Sequence, residues 1–185
     1  ESRLMVHLRE QGYPVPEVHR VGPGEQVFER VEGPTMLADL GAHPWRVGAH
    51  ARTLADLHRR LHEIAAPAFL PAHPLGGEVL VHMDLHPGNV ICSPDGPVVI
   101  DWTNGRAGRA EVDVAMTWVL MGAFEQDPPP PDLPWLRRLR DRAVRTIEDP
   151  IRRRLVATFL ASSGVEPAAR AALPEVAEIR LADRA

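Results

Sequence analysis

The chain has 185 residues, 44% hydrophobic and 25% charged, which is ordinary for a soluble globular protein and enough to bury a core as one domain or two unequal lobes. A net charge of -4 gives no electrostatic reason to expect nucleic acid or an anionic membrane as a main partner. The single cysteine, Cys92, excludes an internal disulfide framework and fits a reducing compartment such as the cytoplasm. No apolar run approaches a membrane span, and no signal-peptide pattern opens the sequence. The first residue, Glu1, already falls in what reads as a helix, so a native start further upstream is expected. All 21 basic residues are arginine, so chemistry that requires a lysine has to find it elsewhere.

Leu4, Met5 and Leu8 share one face of a helix over residues 1–11, which should stop before Gly12-Tyr13-Pro14. Val15 to Val21 and Gln26 to Val31 read as strands of a hairpin around Gly22-Pro23-Gly24. Gly33-Pro34 breaks the chain, and Thr35 can cap a short helix through Leu40. From Trp45 to Ile64, Val47, Ala51, Leu54, Leu57, Leu61 and Ile64 recur at helical spacing and predict a buried amphipathic helix. His58 and His62 lie one turn apart on it, a spacing that suits a metal pair. No carboxylate motif such as HExxH accompanies them, and a packing or surface role is expected.

Pro71 to Gly77 reads as a loop, followed by short strands at Val79–His82, Val90–Cys92 and Val98–Ile100. Asp113 precedes an apolar run, Val114 to Met121, that reads as a helix. Pro128 to Pro131 should be stiff and polyproline-like. From about Trp135 to Ala182 the chain reads as helical, with breaks at Pro150, Gly164 and Pro174. The arginine-rich stretches 137–145 and 152–154 are expected to be solvated helix faces. There is no internal repeat.

The segment from Val79 to Asp101 carries the chemistry. Two apolar strands flank Ser93-Pro94-Asp95-Gly96, a turn sequence in which Gly96 can take positive φ. With the hairpin centred on Asp95, Asn89 and Asp101 are equally distant in sequence and should face each other at its open end. Asp84 lies on the loop entering the first strand, near the same end. Two carboxylates and one carboxamide are hard oxygen donors, too few to enclose a cation. That set suits Mg²⁺ that keeps waters and substrate phosphates as its other ligands. A separate Asp on a loop can accept the proton of an attacking hydroxyl.

HMDLHPGN followed by VVIDW resembles the catalytic loop and metal-binding Asp of the aminoglycoside phosphotransferase and choline kinase-like family. The resemblance implies an α+β, protein kinase-like two-lobe fold, with a partial small lobe and hinge over 1–33. Residues 34–185 would form a mainly helical large lobe with a catalytic β-hairpin. It implies Asp84 as catalytic base, Asn89 and Asp101 as magnesium ligands, and His82 as a support of the loop. The stretch from Gly12 to Val18 resembles the family's link out of the small-lobe helix, and Val27 to Gly33 its hinge. By that match the Glu29 carbonyl and Val31 amide would bond an adenine edge, with Phe28 at the rear of the pocket. Leu54 to His58 resembles the central helix of the large lobe. Asp113-Val114-Ala115 resembles the motif whose Asp bonds back to the catalytic loop, although on local grounds Asp113 reads as a helix N-cap.

The implied cofactors are ATP (or GTP) and Mg²⁺, and the implied acceptor is a hydroxyl of a small molecule. Only eleven residues lie between Asp101 and Asp113, too few for the long activation segment of a protein kinase. Glu1 matches the helix Glu that pairs with a phosphate-gripping lysine in the family. That lysine is expected before residue 1, in a small lobe that is N-terminally incomplete here. Without it, a nucleotide-binding pseudokinase or scaffold is the alternative. Glu125, Asp127 and Asp132 are candidate contacts for a cationic acceptor.

Overall fold

The computed structural model describes the backbone of residues 1–22, 24–123 and 135–182, and side chains over the same ranges apart from 123–148 and 182. Helices are α1 (Ser2–Glu10), α2 (Met36–Ala42), α3 (Val47–His62), α4 (Ala110–Ala123), α5 (Trp135–Ser163) and α6 (Glu166–Ala182). Strands are β1 (Val18–Gly22), β2 (Glu25–Phe28), β3 (Val79–Val81), β4 (Val90–Ser93), β5 (Gly96–Val99) and β6 (Arg106–Gly108). The strands pair two by two and antiparallel, as β1–β2, β3–β6 and β4–β5. The result is a mixed fold of helices and small sheets. Among the described residues no helix is long and apolar enough to cross a membrane.

Helix α1 buries Leu4, Met5 and Leu8, the face its spacing predicts. It ends where Gly12 takes φ 73°. Tyr13 then turns inward and donates its hydroxyl to the Leu57 carbonyl of α3 at 3.1 Å. Helix α2 starts on the Thr35 cap, whose side chain accepts from the Ala38 amide at 3.1 Å. Asp39 of α2 is buried, and hydrogen bonds from His50, Arg46 and His43 hold its carboxyl at about 2. That corner pins α2 to the start of α3. Leu54, Leu57 and Leu61 of α3 are fully buried with Phe159 of α5, and α4 packs on α6. Each such buried side chain contributes about 1.5–3 kcal/mol.

Several boundaries differ from the sequence expectation, each for a local reason. The first strand begins at Val18, not Val15, because Pro14 and Pro16 have no amide to donate. The Pro14 carbonyl instead accepts from Val99 of β5 at 2.9 Å. The partner strand ends at Phe28, and Glu29 makes only a last backbone bond to Glu17, at 2.8 Å. Helix α3 begins at Val47, after a 3₁₀ turn over Pro44–Arg46 that leaves Trp45 exposed. Gly164, at φ 78°, does break the helices. Pro150 and Pro174 do not, and they sit inside α5 and α6 as exposed residues whose unpaired carbonyl partners can turn to water. Strand β6 was not legible at all, since Arg106-Ala107-Gly108 has no alternation and forms only as the partner of β3.

Both edges of the β4–β5 hairpin are covered by proline carbonyls. Pro14 serves β5, and Pro34 accepts from the Cys92 amide of β4 at 2.8 Å. Gly33 makes this approach possible. It has φ 134°, and a Cβ there would stand 2.3 Å from the Cys92 carbonyl oxygen. Gly33→Ala should therefore destabilise the fold by more than about 1 kcal/mol, read as a lower urea midpoint at unchanged m-value.

Candidate active site

Strand pairing sets the first part of the site. Ser93 pairs with Gly96 and Val90 with Val99, so the hairpin centre falls between Pro94 and Asp95. The ladder continues with the Ile100 amide on the Asn89 carbonyl at 3.0 Å. Asn89 therefore stands opposite Ile100, and Asp101 lies one residue further out than the expected symmetric pairing. Both still occupy the open end. Asp101 has φ 63°, a left-handed conformation that ends the strand's alternation and redirects the chain into a 3₁₀ turn, Trp102–Asn104.

Strand β3 delivers His82, Met83 and Asp84 to that end. The buried His82 lies 3.1 Å through Nε2 from the Ile100 carbonyl, which can only accept, so Nε2 carries the proton. Its Nδ1 is then the acceptor for the Asp84 amide at 3.3 Å. Burial pushes the His82 pKa down, against the attraction of Asp113. The ring rests on Trp102 at a centroid distance of 4.4 Å, and Trp102 is anchored by its indole N–H on the Val99 carbonyl at 3.1 Å.

Met83 also has positive φ, at 65°. The Asp113 carboxylate of α4 holds this turn. One oxygen accepts from the Met83 amide at 2.7 Å, the other from the His82 amide at 3.2 Å. Helix α4 starts at Ala110, so Asp113 lies within its first turn and is not the N-cap that its local sequence suggests. His62 Nε2 stands 2.9 Å from the second oxygen and His58 Nδ1 3.4 Å from it. Burial alone would raise the Asp113 carboxyl, yet the two histidines outweigh it and hold the group well below the usual carboxylate range. His58 and His62 thus do pack inward, and sequence reasoning missed that both converge on Asp113. Their spacing of one helical turn was the available signal.

Asn89 orients toward Asp84. Its side-chain nitrogen donates to the Asp84 carbonyl at 2.9 Å and to the Asp84 carboxylate at 3.2 Å. With both N–H groups so directed, the amide oxygen of Asn89 is the atom left for a cation. Asp101 is exposed and accepts from the Thr103 hydroxyl at 3.0 Å. A donor set of one amide oxygen and carboxylates is hard and incomplete, and it fits Mg²⁺. His86, whose Nδ1 accepts from the Gly88 amide at 3.0 Å, brings Nε2 to 3.9 Å from Asp84. Burial lowers its pKa, with Asp84 and Asp101 opposing.

Glu1 reaches the same region, its carboxylate accepting from the Trp102 amide at 3.2 Å. Phe28 ends β2 and is half-buried, Glu29 is exposed and Val31 half-buried in the segment that follows. No hydrogen bond among the described residues ties these three to the Asp84 loop. Glu125, Asp127 and Asp132 lie outside the described residues.

The sequence pattern of the phosphotransferase enzyme family matches residues 65–154, a stretch that contains His82, Asp84, Asn89, Asp101 and Asp113. Over 70 residues the chain is 37% identical to a thiamine kinase of Escherichia coli, covering 37% of this chain and 23% of that relative. The family found is the one that the motifs of the sequence resemble.

Asp113→Ala removes one partner of a buried charged network and should cost about 3–5 kcal/mol in chemical denaturation. The sign of the pH dependence also follows. The folded His82 binds its proton less readily than an unfolded histidine near pH ~6.5, so stability should fall as pH drops below that value. His73 and His86, both lowered mainly by burial, act in the same direction. The Asp113 contribution is present above its unfolded value near ~3.9 and is lost only below it. Urea midpoints followed through weakly acidic pH should therefore decline before the Asp113 contribution is lost.

Proposed function

We propose that this protein is an ATP- and Mg²⁺-dependent phosphotransferase that moves the γ-phosphoryl group to a hydroxyl of a small molecule. The observation that carries this reading is the orientation of Asn89. Its amide nitrogen is spent on Asp84, which leaves an oxygen-only donor set of Asn89 and Asp101 beside the second Asp84 carboxylate oxygen, which faces His86 at 3.9 Å. Asn89 and Asp101 would hold the metal, which when bound neutralises charge on the transferred group.

Asp84 takes the proton of the acceptor hydroxyl as the oxygen attacks phosphorus. Asn89 fixes the Asp84 side chain for that task, and His82 fixes its backbone through the Asp84 amide. Residues 1–33 act as the nucleotide-side lobe and hinge, with the Glu29 carbonyl and Val31 amide on the adenine edge and Phe28 behind it. Residues 34–185 form the large lobe. Glu1, bonded beside Asp101, is placed to orient the metal end of the nucleotide site. Use of cytosolic ATP fits a cytoplasmic setting and the lone Cys92.

The name of the E. coli relative makes thiamine the first acceptor to test, with other small alcohols after it. The specific observation on the other side is the lack of lysine within these 185 residues, which for this stretch alone favours a nucleotide-binding pseudokinase or scaffold. Turnover decides between them. The full-length gene product, with any residues that precede Glu1, incubated with ATP, Mg²⁺ and an acceptor panel should release ADP and phosphorylated product. Asp84→Ala should lower kcat about 10²–10⁴-fold with little change in ATP affinity. Chelation of Mg²⁺ should abolish turnover. ATP binding with equal, zero turnover in both forms would refute the enzyme.

A further inference from the structure

His58, His62 and Asp113 are fixed in a way that hydrogen bonding alone does not satisfy. The Thr117 hydroxyl donates to the Leu85 carbonyl at 2.7 Å, so its proton is committed. His58 Nε2 lies 3.1 Å from the same oxygen and must be the donor there. That leaves His58 Nδ1, on a side chain 1% exposed, aimed at the Asp113 carboxylate at 3.4 Å without an aligned hydrogen-bond partner. In the neutral ring this is a lone pair facing an anion; only the charged ring, the form in which His58 helps hold Asp113 low, could donate there. The same Asp113 oxygen already faces the His82 amide and His62 Nε2, three groups around an atom with room for about two.

We infer that His58 Nδ1, His62 Nε2 and Asp113 form a binding site for a Zn²⁺-like transition-metal cation, separate from the Asp84 loop's magnesium ligands. The three ligand atoms lie within 4.8 Å of one another. Bond lengths near 2.0–2.1 Å place tetrahedral ligands about 3.4 Å apart. The His58–Asp113 separation of 3.4 Å matches that edge, and the His62–Asp113 separation of 2.9 Å needs only a small opening. A cation here faces the His58 lone pair and takes the place of the His62 donor on the carboxylate oxygen, leaving the His82 amide and the metal as its partners. The outer shell is in place. His58 donates its other N–H to Thr117, and the second Asp113 oxygen is held by the Met83 amide. Imidazole nitrogens with one carboxylate select Zn²⁺ over Mg²⁺. His62, 10% exposed, marks the route in and leaves the fourth position for water. The site's effect is on the loop, since the metal would lock the carboxylate that holds Met83 in its left-handed turn.

Calorimetric titration of the chelator-treated full chain with zinc chloride, in magnesium-free buffer, tests this. One saturable site is expected, with a rise in denaturation midpoint that magnesium does not reproduce. Co²⁺ in its place should give the visible bands of a tetrahedral N/O site. His62→Gln, a substitution at the partly exposed ligand, should abolish uptake. Thr117→Val should weaken it about 10–100-fold. Asp84→Asn should leave it unchanged, which separates this site from the proposed reaction, and none of the readouts requires turnover. No saturable uptake by the parent chain would overturn the site and leave a buried His58–Asp113 ion pair. Equal uptake by the parent and His62→Gln would also overturn it and assign the binding to other histidines, such as His43 and His50.

Discussion

One buried carboxylate organises this molecule. Asp113 gathers two backbone amides from the His82-Met83 turn and two imidazoles from α3, so three elements meet at a single side chain. A charge in that position is tolerable only when donors surround it, because the surrounding low dielectric strengthens every paired interaction and penalises every unpaired one. The helices that carry these groups are themselves fixed by apolar packing of Leu57, Leu61, Val112 and Val114, all buried. The position of Asp84 therefore inherits the rigidity of the helical core through a carboxylate, not through a contact of its own.

That clamp explains how the site keeps its two strained residues. Among the described residues Met83 and Asp101 are the non-glycine positions with positive φ, and both flank Asp84 and Asn89. Such a conformation costs about 1–3 kcal/mol per residue and persists only where the surroundings over-determine it. Met83 is held by Asp113. Asp101 is held by its neighbour Trp102, whose amide meets Glu1, whose indole meets Val99, and whose ring lies against His82 and edge-on to Tyr13. The proline carbonyls that cover the β4–β5 edges complete the support, linking the segments on either side of the β1–β2 hairpin to the hairpin of the site.

How far the sequence was legible depended on the range of the interaction. Helix faces such as Leu4-Met5-Leu8, the Thr35 cap and the Ser93–Gly96 turn are decided within a few residues, and their signals were readable. Prolines misled in both directions. Pro14 and Pro16 shortened a strand by lacking donors, whereas exposed Pro150 and Pro174 were absorbed within helices. The register error at Asn89 and Asp101 was one residue, because a turn sequence locates a hairpin without saying on which bond it centres. On local grounds Asp113 looked like a cap, since a cap and a buried clamp place the same residue type at the start of a helix; the family resemblance instead gave it a bond back to the catalytic loop, and its carboxylate accepts from the His82 and Met83 amides.

The sequence by itself determined the chemistry available: an Asp–Asn–Asp oxygen set on a loop and hairpin, no lysine, one cysteine, and the family resemblance that those motifs carry. It did so because residue identity and short spacing fix which atoms can donate, accept or ligate. Only the tertiary structure decided which of them work together. The pairing of β3 with β6, the turn of Asn89 toward Asp84, and the convergence of His58, His62 and Thr117 near Asp113 join residues far apart in the chain. Those contacts arise when helices close over a shared core, and no local pattern records them.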